Sequence, residues 1–340
     1  MTHTLIIAEA GVNHNGDLAT AFKLVDAAKA AGADLVKFQT FKAEKLVSRV
    51  ARKAEYQVRN TEKESETQFE MLRRLELSES DHDALIAYCR KKEIGFFSTA
   101  FDMDSLQYLH SLGITIAKVP SGELTNLPYL RKMAKLFDRI IISTGMAMMD
   151  EVKAALEVFL AAGTERSNIT VLHCNTEYPT PMQDVNLRAM LSIREQLQIT
   201  VGYSDHTAGI EVPIAAVALG ATVIEKHFTL DKTMEGPDHR ASLEPAELAA
   251  MVNGIRNVEA AIAGSGFKEP SASEKKNIVI ARKSIHLKEA LEHGAVLKEE
   301  HLVMLRPGDG ISPFEMDNVI GRRLNENKEA YHKLSWSDLI

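Results

Sequence analysis

Short apolar runs recur along the chain, each closing on polar or ionisable residues, with amphipathic stretches between them. Continuous apolar runs, rather than alternating ones, suit parallel strands buried on both faces. They predict strands at 5–11, 34–40, 95–99, 116–121, 139–143, 169–174, 201–207 and 222–228. Helical patterns fall between them: 17–31, capped by Asp17 and stopped by Gly32, then 68–74, 79–92, 210–220 and 244–264. One stretch breaks the rhythm. Residues 41–67 are rich in Lys, Arg and Glu of alternating sign, which reads as a solvated surface or as a mobile lid over a site. Eight strand–helix repeats predict an α/β fold, a (β/α)8 TIM barrel spanning 1–264. A Gly-, Ser- and Lys-rich linker is expected at 265–280 and a small separate domain at 281–340. A block that small gains from docking on a barrel or on a partner chain.

The polar residues gather where the strands end. Glu9, Asn13 and His14 follow the first run, Lys37 and Gln39 the second, Ser98 and Thr99 the third, Lys118 and Ser121 the fourth. Ser143 and Thr144, His173 and Asn175, Ser204, Asp205 and His206, then Glu225, Lys226 and His227 complete the set. In this fold the active site lies at the C-terminal ends of the strands. One strand ending in a hydroxyl is turn chemistry, but eight polar ends together point to a site. His206 and His227, on adjacent strand ends, supply half of a divalent-metal shell. Glu9, Asp205, Glu225 or Asp238 would complete the shell or move protons. Cys174 reads as a ligand or a packed thiol, and His14 as catalytic or as part of its turn. Lys37 and Lys118 suit an anion, with Gln39, Thr99, Ser121, Ser143 and Ser204 as neutral donors around it. A desolvated lysine also suits a Schiff-base aldolase.

Composition narrows the field. The 340 residues carry a net charge of −7, which argues against a general nucleic-acid binder. Two cysteines, Cys89 and Cys174, provide no disulfide framework and fit a reducing cytoplasm. No signal peptide is expected at 1–10, and the longest mainly apolar run, 212–224, is too short to span a membrane as a helix. Neither phosphate-binding glycine motif of nucleotide sites is present.

Several motifs carry a resemblance. They are Ile7-Ala8-Glu9-Ala10-Gly11-Val12-Asn13-His14-Asn15-Gly16, Val36-Lys37-Phe38-Gln39-Thr40, Lys118-Val119-Pro120-Ser121-Gly122-Glu123, and the runs 173–181, 202–207, 225–229 and 236–238. In order and over nearly the whole chain, they resemble the sialic acid synthase family. The last block, with Arg306-Pro307-Gly308-Asp309-Gly310, looks like that family's C-terminal antifreeze-like (SAF) domain. The resemblance implies condensation of phosphoenolpyruvate with open-chain N-acetylmannosamine, giving N-acetylneuraminate and phosphate with C–O cleavage. The alternative acceptor is 2,4-diacetamido-2,4,6-trideoxymannose, giving N,N'-diacetyllegionaminate; a Schiff-base lyase ranks below both. A divalent ion, manganese before magnesium or cobalt, would sit on His206 and His227. By matching position, Lys37, Gln39, Thr99, Lys118, Ser121, Ser143 and Ser204 would bind phosphoenolpyruvate, with Asn175 or Thr176 touching its phosphate. Tyr178 and Asp238 would hold the sugar, and Glu9 and Glu123 would move protons or place water. Arg306 would reach the sugar in a partner's barrel within a domain-swapped homodimer.

Overall fold

A computed structural model describes residues 3–61 and 65–340. The insertion 41–67 therefore falls partly outside the described residues, at 62–64. The chain divides into two compact units at Gly264/Ser265.

The first unit alternates strands and helices. It runs β1 Leu5–Gly11, α1 Leu18–Ala30, β2 Leu35–Thr40, then three short helices and a longer one: α2 Ala43–Leu46, α3 Glu55–Thr61, α4 Gln68–Arg74 and α5 Glu79–Lys92. There follow β3 Gly95–Ala100, α6 Met103–Ser111, β4 Ile116–Val119, α7 Leu127–Leu136, β5 Arg139–Ser143, α8 Met149–Ala161 and β6 Ile169–Cys174. The unit ends with α9 Ala189–Leu197, β7 Thr200–Asp205, α10 Glu211–Ala218, β8 Val223–His227 and α11 Pro245–Ile262. All ladders among these strands are parallel, in the order β3-β2-β1-β8-β7-β6-β5-β4. β3 and β4 pack together at the seam, so the strands form a TIM-type barrel.

The two-residue period of the strands sorts the barrel interior into layers. Ile7, Phe97, Ile141, Leu172 and Val223 are buried together, with Leu5, Leu35 and Ile116 against them, as a hydrocarbon floor. Two residues further along the same strands stand Glu9, Thr99, Ser143, Cys174 and Glu225, and likewise Lys37 after Leu35 and Lys118 after Ile116. β7 contributes Gly202 to the floor, because a Cβ there would meet the Val223 carbonyl oxygen at 2.4 Å. The opposite strand faces, with Ile6, Val36, Phe38, Ile142, Val171 and Ile224, pack outward onto the helices.

The insertion is less solvated than its charges suggest. Lys53, Gln57, Asn60 and Thr61 are buried. α3 holds the neighbouring loops: Asn60 donates to the Pro237 carbonyl at 2.7 Å, and Arg59 reaches the Tyr178 carbonyl at 3.2 Å and Glu177 at 3.3 Å.

The second unit has its own core of Ile285, Leu287, Leu297, Leu302, Ile311, Val319, Leu324, Leu334 and Leu339. It begins with α12 Ala272–Ala281, and β9 Ser284–Leu287 pairs antiparallel with β10 Leu302–Leu305. A last short helix, α13, spans Met316–Val319. α12 corrects the linker expected at 265–280. Ser271 and Glu274 form a capping box that starts the helix inside a polar stretch, and its lack of buried residues explains why no apolar stripe announced it. No helix among the described residues is long and apolar enough to cross a membrane.

Candidate active site

The layer above the floor is a ring of buried charges. Lys37 Nζ lies 2.8 Å from Glu9 and 3.6 Å from Glu225, and Lys118 Nζ lies 2.6 Å from Glu225. Thr99 accepts from Lys37 at 2.9 Å, and Ser204 donates to Glu225 at 3.0 Å. Burying such ions costs several kcal/mol each unless they are paired, and here each finds an opposite charge. The pairing is imperfect, since Glu9 Oε2, Glu225 Oε2 and Ser143 Oγ make no aligned hydrogen bond. Burial pushes the Glu9 carboxyl up to about 7 against the pull of Lys37. Burial acts on Glu225 too, but Lys118 and Lys37 overcome it and hold that carboxyl well below the usual range. Burial opposes the charge on Lys37, yet Glu225 and Glu9 keep it firmly protonated. The ring is therefore polarised: one ionised carboxylate between two ammonium groups, and a second carboxyl poised near neutrality.

Above the ring stand the two histidines, their ring centroids 5.5 Å apart. His206 Nδ1 donates to the Asn175 carbonyl, which leaves Nε2 as an acceptor 3.1 Å from the Tyr178 hydroxyl and 3.5 Å from Ser204. His227 Nδ1 is buried without a hydrogen-bond partner, 3.9 Å from Asp238. Burial holds His206 down to about 4 and His227 well below its ordinary value, and it raises Asp238 to about 6. Neutral imidazoles with free ring nitrogens are the form that binds metal, so this donor pair fits a divalent ion. Among the described residues no cluster of three or more His, Cys, Asp or Glu surrounds the point. Two imidazoles would leave the remaining positions of such an ion open to water or substrate.

Behind the histidines, on the outer strand face, Lys226 is wholly buried against Asp205 and the Thr207 carbonyl, each at 2.5 Å. That corrects the reading of Asp205 as part of a metal shell: period-2 alternation turns it away from His206's side.

A cavity of about 190 Å³ collects most of the expected residues: Glu9, Lys37, Gln39, Thr99, Lys118, Ser121, Ser143, Thr176, Tyr178, Ser204, His206 and His227, with Glu225 and Cys174. Of the two candidates after β6, Thr176 lines this cavity, whereas the Asn175 side chain accepts from the Glu177 amide and shapes the loop. Glu123 lines a neighbouring cavity with Asp102 and Asn126, and it accepts from Asn126 at 2.5 Å. His173 Nε2 donates to the Val185 carbonyl, and His14 Nδ1 accepts from the Gly16 amide. Arg306 belongs to the second unit, where its Nε donates to the Ala281 carbonyl. Another cavity, about 260 Å³, opens at the opposite end of β3 and β4 among Leu35, Ile94, Phe97 and Ile116, and it lacks such a charge cluster.

Sequence reasoning missed Tyr56. Its ring stacks on Tyr178 with centroids 5.0 Å apart, and Tyr178 stacks in turn on His206 at 4.1 Å. A lone tyrosine inside a charged stretch was the available signal.

A barrel with a buried ammonium–carboxylate ring beneath paired imidazoles has the donors to suit an anionic substrate. The comparisons narrow that class. The NeuB family pattern matches residues 24–268. The N,N'-diacetyllegionaminic acid synthase of Campylobacter jejuni is 51% identical, covering 96% of this chain and 97% of its own. That of Legionella pneumophila is 50% identical, covering 98% and 94%. Among solved structures, the N-acetylneuraminic acid synthetase of Leptospira borgpetersenii superposes with a TM-score of 0.71 at 34% identity, covering 81% of this chain and 90% of its own. The chain belongs to the NeuB family, and it is an enzyme, a nonulosonic acid synthase.

Proposed function

We propose that the enzyme condenses phosphoenolpyruvate with 2,4-diacetamido-2,4,6-trideoxymannose to give N,N'-diacetyllegionaminate and phosphate. The motifs alone placed N-acetylmannosamine first. The order changes because the relatives at 51% and 50% identity are both diacetyllegionaminic acid synthases. The single observation that carries the chemistry is the ring formed by Lys37, Lys118, Glu225 and Glu9.

Lys37 and Lys118, with Gln39, Thr99, Ser121, Ser143, Thr176 and Ser204, would grip the phosphate and carboxylate of phosphoenolpyruvate at the bottom of the cavity. Its carbon 3 then faces the mouth, where Tyr178 and Asp238 would hold the open-chain sugar. A divalent ion on His206 and His227, manganese by family resemblance, would supply Lewis acidity at the sugar's aldehyde oxygen. Carbon 3 bonds to the aldehyde carbon, and that oxygen takes up a proton. Water adds at carbon 2, loses a proton, and the carbon 2–oxygen bond to phosphate breaks. Glu9, near neutrality and on the cavity wall, suits the proton transfers. The same ring weighs against an aldolase, because Lys37 is held protonated and an ammonium is no Schiff-base nucleophile.

The second unit would be the antifreeze-like domain, with Arg306 reaching a partner's sugar pocket in a domain-swapped dimer, and a cytoplasmic location goes with this reading. The test is phosphate release from phosphoenolpyruvate with manganese, offering the diacetamido sugar and N-acetylmannosamine in parallel and weighing the product. Turnover of the diacetamido sugar well above the other is expected. Preference for N-acetylmannosamine would restore the sialic acid reading, and keto-acid trapping by borohydride without phosphate release would point to the lyase.

A further inference from the structure

The insertion helix α3 lies outside every motif that the proposed reaction uses, yet it packs on the loops that carry the sugar side of the site. Arg59 grips the β6 loop through the Glu177 carboxylate and the Tyr178 carbonyl. Asn60 and the Arg59 carbonyl hold the β8 loop, through the Pro237 carbonyl at 2.7 Å and Arg240 at 3.2 Å. Between these ties Tyr56 presents its ring to Tyr178, interplanar angle 26°. Tyr178 continues the stack onto His206 and meets His227 edge-on at 5.5 Å. Tyr56 does not line the central cavity, whereas Tyr178 does. Tyr56 is half-buried, and its phenol oxygen accepts from Gln57 Nε2 at 3.4 Å.

From this arrangement we infer that Tyr56 is a positioning residue for the acceptor sugar: its ring holds Tyr178 at the angle that shapes the rim of the pocket. An aromatic ring pinned between two others has little freedom to tilt, and stacking of this kind is directional. Removing the outer ring frees Tyr178 to swing away from His206. The lysine cradle, deeper in the barrel on strands rather than loops, does not depend on α3. The sugar and phosphoenolpyruvate should therefore respond differently. The inference rests on Tyr178 holding the sugar.

Steady-state kinetics on Tyr56→Ala, Tyr56→Phe and Tyr178→Ala, all in the full chain with manganese, test it. Tyr56→Ala is expected to raise KM for the diacetamido sugar about three- to tenfold, the range one aromatic contact supplies. KM for phosphoenolpyruvate should stay within about twofold on the same grounds, and Tyr56→Phe, which keeps the ring, should behave as wild type. Equal shifts in both KM values, or an unchanged sugar KM, would overturn the inference in favour of a merely structural ring. If Tyr178→Ala raises sugar KM but Tyr56→Ala does not, the positioning role alone fails. If neither changes it, the sugar role of Tyr178 fails as well. Should Tyr56→Ala not fold, Tyr56→Leu, which fills the space without an aromatic face, carries the same expectations.

Discussion

Glu9 and the buried histidines carry strongly displaced titrations at the residue scale. Below pH 7 the protonated Glu9 leaves Glu225 as the one carboxylate facing Lys37; above it, a second carboxylate neutralises Lys37 and would repel an incoming anion such as phosphoenolpyruvate. The kcat/KM for phosphoenolpyruvate should therefore fall as pH rises through about 7, and Glu9→Gln should remove that limb of the profile along with most of the activity. His206→Ala and His227→Ala are each expected to weaken manganese binding at least ~100-fold, which titration calorimetry on the metal-stripped protein reads directly. His14 tests stability instead. Burial holds it down to about 4 from an ordinary 6.5, so the folded state prefers the neutral ring. That preference is fully present above pH 6.5 and is lost as pH falls toward 4, an upper limit of about 3 kcal/mol. Between pH 7 and pH 5 the other buried neutral rings lose stability as well, so His14→Gln should make the drop seen in urea unfolding smaller by roughly 2 kcal/mol.

At the scale of elements, the strands were legible because burial on both faces leaves unbroken apolar runs, and their polar ends were legible because the chain exits there. The side to which each end pointed was not. Asp205 and His206 are neighbours in sequence, but one faces the helices and the other the cavity, and only the ladder register settles which. α3 was illegible for a different reason: its charges look solvated until Arg59 and Asn60 find carbonyls in distant loops. Glu123, singled out by a motif, lines the cavity with Asp102 and Asn126 rather than the central one, a placement its position in sequence after β4 does not reveal. The Asp205–Lys226 pair also makes a prediction. Lys226→Met strands a buried carboxylate and should cost about 3–5 kcal/mol in denaturant unfolding, whereas the double variant Asp205→Leu/Lys226→Met should recover much of it.

For the whole molecule, the division at 264/265 gives two cores that can be perturbed separately. In the second unit Asp338 accepts from the Ser335 amide at 2.7 Å and pairs with Lys328 at 2.6 Å. Asp338→Asn should lower the stability of that unit by about 1–3 kcal/mol, read as an earlier loss of Trp336 fluorescence signal, while barrel unfolding followed by far-ultraviolet circular dichroism moves less.

The layered interior of the barrel has a kinetic meaning. Ile7, Phe97, Ile141, Leu172 and Val223 stop the well from below, so molecules come and go through one mouth. Whatever settles on the lysines must arrive before the partner that sits above it, and must wait for that partner's departure. Traffic in such a dead-end shaft is last in, first out: for the proposed reaction phosphate is expected to leave after the sugar acid, and inorganic phosphate should compete with phosphoenolpyruvate for the empty shaft.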